Sequence, residues 1–343
     1  MLFHEAPRFL FSLYSSPVTP THKTAGQKPK PRLADETDVG VFGSRGTSGA
    51  PENVDLGSRI SWTQRQHARP CVAFRELDLT DDTIHITRWG DSGPRVVLIH
   101  GGMQGSKSGG DRHFMAQSQL GEKGWQVLAP DRPGHGRSKA PGRPDDPEAD
   151  GEWVAQLLGD GAHLVGHSFG GCVALNAAAR RPSAVHSLTL IEPAMQNLAA
   201  DDPRVEDFAR KMQEAMTGAT SPADRSARFS ALVGIPPAIR DLTSPEERTR
   251  MGQAIVQLKL PSEETLRKQL RELRKEGVPL LIVTGGWNPA FEAIAAKISS
   301  MGGGRHVVVR CDHHIPQLIS DEFNQVLADF MNEPDSIARA MNQ

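Results

Sequence analysis

Cysteine is scarce in this 343-residue chain, with Cys71, Cys172 and Cys311 as the whole complement. Three thiols are too few for a disulfide framework and lack the paired spacing of a zinc site, so a reducing, cytoplasmic setting is expected. No run approaches the roughly 20 uninterrupted apolar residues of a bilayer crossing, which predicts a soluble chain without a membrane partner. Neither charge sign is in excess: 39 Lys and Arg stand against 41 Asp and Glu, a net charge of -2. Nucleic acid is therefore not an expected partner. Clusters of His, Cys and Asp with ligand spacing are missing as well, and no metal or other cofactor is expected. No internal repeat is present.

What the chain does have falls into two parts. Residues 1–70 read as a disordered leader, rich between Pro17 and Arg59 in Pro, Gly, Ser, Thr and Lys with apolar residues at no fixed period. Residues 1–34 carry five Lys or Arg against one acid, which fits an organelle transit peptide; an unstructured extension or a misplaced start codon are the alternatives. From Arg75 onward short apolar runs alternate with segments of helical period, the pattern of an α/β fold with a mostly parallel sheet flanked by helices. Strands are predicted at 83–88, 95–99, 125–129, 162–165, 187–191, 279–284 and 306–310. The unbroken runs Val96-Val97-Leu98-Ile99 and Leu280-Leu281-Ile282-Val283 mark strands buried on both faces. Between residues 195 and 277 the strand signal stops. Val205, Phe208, Met212 and Met216, then Leu266, Leu270 and Leu273, recur at helical spacing. Pro203, Pro222, Pro236-Pro237, Pro245 and Pro261 stand where helices would begin. This predicts a helical lid at 195–277, inserted between core segments 71–194 and 278–343 and lying over the carboxyl edge of the sheet, with helices packed on one face as the alternative.

Gly166-His167-Ser168-Phe169-Gly170 is a G-x-S-x-G pentapeptide with the strand His163-Leu164-Val165 before it and the small-residue helix Gly171 to Ala179 after it. Strand, turn and helix with Ser at the apex form a nucleophile elbow, in which the glycines remove Cβ clashes and the turn lifts Oγ above the sheet. Upstream, His100-Gly101-Gly102-Met103 follows the strand at 95–99 directly. Acyl transfer builds negative charge on a carbonyl oxygen, which needs N–H donors fixed in advance. Phe169 can supply one from the helix start and Gly102 or Met103 the other.

With Asp131-Arg132-Pro133-Gly134-His135-Gly136-Arg137-Ser138 and a closing His before a C-terminal helix, these motifs resemble the α/β-hydrolase superfamily, in its lidded serine-hydrolase branch. The resemblance runs from about Val96 to the C-terminus. It implies that 131–138 is a structural turn, leaving His135 without a catalytic role, and that the order is Ser, acid, His with the His in the loop after the last strand. Relatives carry Gly-His where this chain has His313-His314, which makes His314 the expected base and His313 the fallback. His167 and His100 are read as packing and loop-shaping residues. The resemblance also implies an Asp after the penultimate strand, yet Thr284-Gly285-Gly286-Trp287-Asn288-Pro289 places Asn288 there. An amide does not stabilise the imidazolium formed when Ser loses its proton. Glu192, at the end of the preceding strand, is the expected acid, since neighbouring strand ends lie about 5 Å apart. Glu292, Asp312 and an arrangement without a carboxylate at Asn288 are the alternatives.

A Ser nucleophile implies an acyl-enzyme on a small ester, thioester, lactone, amide or activated carbon–carbon bond beside a carbonyl. Met103, Phe169, Trp287 and the methionines of 195–277 suggest an apolar acyl pocket. The expected protein is an esterase-like serine hydrolase, monomeric or homodimeric, with a small molecule as its partner. Asn288 keeps a second reading open, a ligand-binding, receptor-like protein on the same scaffold.

Overall fold

The computed structural model describes residues 83–333, all within one unit that spans Pro70–Gln343. The leader expected at 1–70 lies outside the described residues. The chain runs through β1 (Ile86–Trp89), β2 (Arg95–Ile99), the short helices α1 (Gly110–His113) and α2 (Ser118–Glu122), then β3 (Gln126–Pro130). It continues through α3 (Pro147–Leu157), β4 (Ala162–His167), α4 (Phe169–Arg180) and β5 (Val185–Ile191). Five helices follow: α5 (Pro203–Thr217), α6 (Pro222–Leu232), α7 (Pro237–Arg240), α8 (Pro245–Ala254) and α9 (Glu263–Lys275). The chain then returns through β6 (Leu280–Thr284), α10 (Pro289–Gly302), β7 (Arg305–Val308) and α11 (Ser320–Met331).

The seven strands form one sheet in the order β1-β3-β2-β4-β5-β6-β7, parallel except for β1. Every residue of β4, β5 and β6 is buried, as strands covered on both faces must be. One face carries the core of Leu164, Val173, Leu190, Leu266 and Ile294; the other buries Val96, Phe114, Val283, Phe323 and Leu327. The register aligns Ile99 with Gly166, His167 with Ile191, Ile191 with Val283, and Thr284 with Val308. The loops that begin at His100, Ser168, Glu192, Gly285 and Val309 thus leave from one carboxyl edge, where ligands of open α/β sheets bind.

The prolines of the helical segment act as the sequence suggests, except Pro261, which stands ahead of the Ser262 cap of α9 instead of opening the helix. Pro203, Pro222, Pro237 and Pro245 open α5 to α8, where their fixed φ suits the first helical turn and their missing N–H costs nothing. Asp202, Ser221, Ser244 and Ser262 cap α5, α6, α8 and α9 through their side-chain oxygens. The last helix departs from the expected insertion. Leu266, Leu270 and Leu273 of α9 are fully buried in the sheet-face core together with residues of α4 and α10. A parallel β5 to β6 step needs a crossover element across the face of the sheet, and α9 fills that place, as in the alternative of helices packed on one face. No helix among the described residues is long and apolar enough to cross a membrane.

Candidate active site

The elbow is built by close approach. A Cβ at 166 would press on Gly170 O and lie 2.7 Å from Ala174 Cβ, and one at 170 would press on Ile99 O, so strand and helix meet at this angle only across glycine. Ser168 at the apex has φ +55° and ψ -123°, a conformation that costs a non-glycine residue of order 1–3 kcal/mol. The turn is held by Ser168 N–H donating to Ile191 O (2.9 Å) and by Gly171 N–H and Ala194 N–H donating to Ser168 O (2.9 and 3.1 Å).

The structure brings together three side chains that stand far apart in sequence. Ser168 Oγ lies 2.9 Å from His314 Nε2, and His314 Nδ1 lies 2.7 Å from Glu192 Oε2. Glu192 is fully buried with φ +40°, the other non-glycine residue in the left-handed region among those described. Its Oε1 accepts the Gly285 N–H (2.8 Å), and the Trp287 indole N–H is shared between both carboxylate oxygens at 3.0 Å. Three donors, from His314, Gly285 and Trp287, converge on this carboxylate and fix both of its oxygens.

His314 is buried, with ring neighbours His167 (4.9 Å between centroids) and Phe291 (4.8 Å). His167 Nε2–H donates to His314 O (2.8 Å), and His314 N–H donates to Gly234 O (3.1 Å), so the elbow and the helical segment both fix the loop. His313 uses its Nδ1 to accept the Ile315 N–H (3.3 Å) within its own turn. Asn288 is the N-cap of α10, accepting the Ala290 N–H at 2.9 Å, and Glu292 accepts the Gly286 N–H at 3.1 Å. Glu192 is therefore the carboxylate on His314.

Among the described residues the N–H groups of Gly102, Met103 and Phe169 have no acceptor. Gly102 has φ +98°, a turn that only glycine makes without strain. The Phe169 side chain, expected in the pocket wall, belongs to the core instead: it is 2% exposed and its ring lies 4.7 Å from the Arg132 guanidinium carbon. Arg132 is itself buried and paired with Asp145 and with Asp150 (2.9 Å), and this buried cation draws the aromatic face inward. Met103 is buried, and the half-buried Trp287 gives its N–H to Glu192.

Two features had no signal in the sequence. One is the Trp287 donor, visible only once β5 and the loop after β6 are side by side. The other is His113, a half-buried imidazole whose Nε2 lies 3.9 Å from where a Gly102 Cβ would stand. Burial, aided by Arg132, pushes its pKa down to about 4, so it is neutral at the site near pH 7. Behind the site, burial first and neighbouring charges second hold His100 and His167 well below the ordinary imidazole value. His100 shows why: its Nδ1–H donates to Gly101 O (2.6 Å) and its Nε2 accepts the Arg132 N–H (2.9 Å), leaving no lone pair for a second proton.

With this geometry in hand, comparison with known proteins places the chain. The sequence model of the alpha/beta hydrolase family matches residues 96–329. The chain belongs to that family. It is 41% identical over 134 residues to lipase LipV of Mycobacterium tuberculosis, covering 38% of this chain and 48% of the lipase, so it spans about half the length of that relative. It is 37% identical over 130 residues to the pimeloyl-[acyl-carrier protein] methyl ester esterase of Neisseria meningitidis, 38% of this chain and 39% of that enzyme. Among solved structures, the esterase EaEST of Exiguobacterium antarcticum superposes with a TM-score of 0.55 at 20% identity, covering 73% of this chain and 96% of the esterase, a likeness of fold.

Proposed function

We propose that the protein is a serine hydrolase that cleaves small, apolar carboxylic esters, or the related thioesters and lactones, through an acyl-enzyme. The observation that carries this reading is the unbroken line from Ser168 Oγ through His314 to Glu192, at 2.9 and 2.7 Å. Relatives named lipase and methyl ester esterase support an ester as substrate.

Ser168 Oγ–H donates to His314 Nε2, which takes the proton as Oγ attacks the substrate carbonyl carbon. The imidazolium so formed is stabilised by Glu192, to which Nδ1–H donates. The carbonyl oxygen, now negative, accepts from the N–H of Phe169 and from that of Gly102 or Met103. Collapse expels the alcohol or thiol with the proton from Nε2 and leaves an acyl group on Ser168. Water then repeats the sequence, releasing the acid and restoring the serine. The apolar side chains of Met103, the Trp287 ring and the helices before residue 263 form the pocket walls in this reading, and those helices act as its lid. A monomer or homodimer in a reducing cytoplasm suits the free thiols of Cys172 and Cys311. The receptor-like alternative loses its motive, because Asn288 caps a helix and a carboxylate holds His314.

The test is hydrolysis of p-nitrophenyl esters of graded acyl length by the wild type and Ser168→Ala. Turnover that falls with chain length and vanishes in the variant is expected; equal turnover by both would refute the mechanism.

A further inference from the structure

Glu247, in the first turn of α8, is a lid carboxylate that the mechanism above leaves unused, and it is only 6% exposed. Ser244-Pro245-Glu246-Glu247 has the Ser-x-x-Glu spacing of a capping box, in which the Glu reaches back to the N–H of the cap residue. Half of that box forms, with Glu247 N–H donating to Ser244 Oγ at 3.2 Å. The other half is diverted. Glu247 Oε1 accepts the backbone N–H of Lys107 at 2.6 Å and faces the Ser106 hydroxyl at 3.5 Å.

Lys107 lies four positions beyond Met103, on the loop that follows the oxyanion turn. The loop is tightly wound: Ser106 N–H donates to Met103 O (3.2 Å) and Ser108 N–H to Ser106 Oγ (3.1 Å). A second contact from the same helix bears on it. Gly105 has φ +86°, and a Cβ there would stand 2.8 Å from Arg250 Cβ, one turn along α8 from Glu247. Within α8 the buried residues are Glu247 and Gly252, so this helix seats without an apolar stripe. A buried carboxylate is tolerated only where charge-assisted hydrogen bonds offset its desolvation, and Lys107 N–H supplies one.

We propose that Glu247 is a positioning residue: by holding the 103–108 loop it sets the N–H groups of Gly102 and Met103 for the substrate oxygen, coupling the seating of α8 to the oxyanion site. The inference rests on the ester-hydrolase reading. It is tested by steady-state hydrolysis of p-nitrophenyl butyrate with wild type, Glu247→Ala, Glu247→Gln and the exposed neighbour control Glu246→Ala, together with amide hydrogen exchange at Lys107. Glu247→Ala is expected to lower kcat about ten- to hundredfold, less than outright removal of an oxyanion donor, with KM nearly unchanged. The apparent pKa in the kcat/KM profile should stay at the wild-type value, because the Ser168, His314 and Glu192 geometry is untouched. Glu247→Gln, which keeps an acceptor oxygen, should recover most of the loss, and Glu246→Ala should match wild type. The Lys107 amide should exchange slowly in wild type and fast in Glu247→Ala. Unchanged kcat in Glu247→Ala, a loss accompanied by a shifted pKa, or failure of Glu247→Gln to recover activity would overturn the inference. Should Glu247→Ala fail to fold, the wild-type Lys107 amide decides, since exchange there at the unprotected rate means the contact is absent. A wild type that hydrolyses no ester sinks the hydrolase reading instead, and the Lys107 exchange result stands apart from it.

Discussion

Lowering the pH from 7.5 to 5.5 should destabilise the folded chain by about 5 to 6 kcal/mol, about half the stability of an ordinary domain. The cause is a set of imidazoles folded into places that admit only the neutral form: His100, His135, His163 and His167, each no more than 2% exposed. Burial brings His135 and His163 to about 3 and holds His100 and His167 well below the ordinary value. The folded pKa is depressed and the unfolded one is about 6.5, so between them the unfolded chain binds more protons and stability falls as pH falls. At pH 5.5 an unfolded imidazole is about nine-tenths protonated, worth about 1.4 kcal/mol for each group that the fold keeps neutral. The hydrogen bonds agree: His163 Nδ1 pairs with Ser187 Oγ at 2.8 Å, His135 Nδ1–H donates to Pro133 O at 3.1 Å, and His167 spends its Nε2–H on His314 O. His113, brought to about 4 chiefly by burial, acts in the same direction. Urea unfolding at pH 7.5, 6.5 and 5.5, extrapolated to water, measures the effect directly. A stability that changes by less than about 1 kcal/mol across that range, or four native imidazole resonances titrating near 6.5, would refute the reasoning.

Three substitutions probe the site. Glu192→Gln should lower kcat by about 10⁴, because its NH₂ facing Nδ1 drives the imidazole proton to Nε2, where it blocks acceptance from Ser168; a loss under tenfold in ester turnover would place the acid elsewhere. Asn288→Ala should cost about 1 kcal/mol of urea stability as a lost N-cap and leave kcat near wild type, and Asn288→Asp should gain no activity. Trp287→Phe keeps the ring and removes one bond to a charged group, a loss of about 1.5–3 kcal/mol that should appear as a lower kcat and a shifted pKa in the kcat/KM profile. A profile identical to wild type would show that the indole N–H does not support Glu192.

Much of the fold was legible because local chemistry and final structure agree. All seven expected strands exist with ends displaced by up to three residues, since continuous Val, Leu and Ile runs have few alternatives to a doubly covered sheet. Gly166 and Gly170 announce a close approach that the structure makes. The pairing of Glu192 with His314 could be anticipated because Asn288 left the usual acid position empty and strand neighbours bring their ends together. Side-chain direction was not legible. The Phe169 ring turns into the core toward Arg132, a cation whose burial depends on Asp145 and Asp150 in the segment before and within α3. Whether a helix covers an edge or a face was not legible either, because the apolar period of α9 is the same in both cases. Contacts such as Trp287 on Glu192 or Glu247 on Lys107 join residues 95 and 140 positions apart and leave no periodic trace.

The most direct test of the nucleophile is intact mass after exposure to a fluorophosphonate, which reacts only with an activated serine beside a working base. The native chain should gain one phosphonyl group, mapped by peptide digestion to Ser168, and Ser168→Ala should gain none. A folded wild type that stays unmodified, or an adduct on any other residue, would contradict the account.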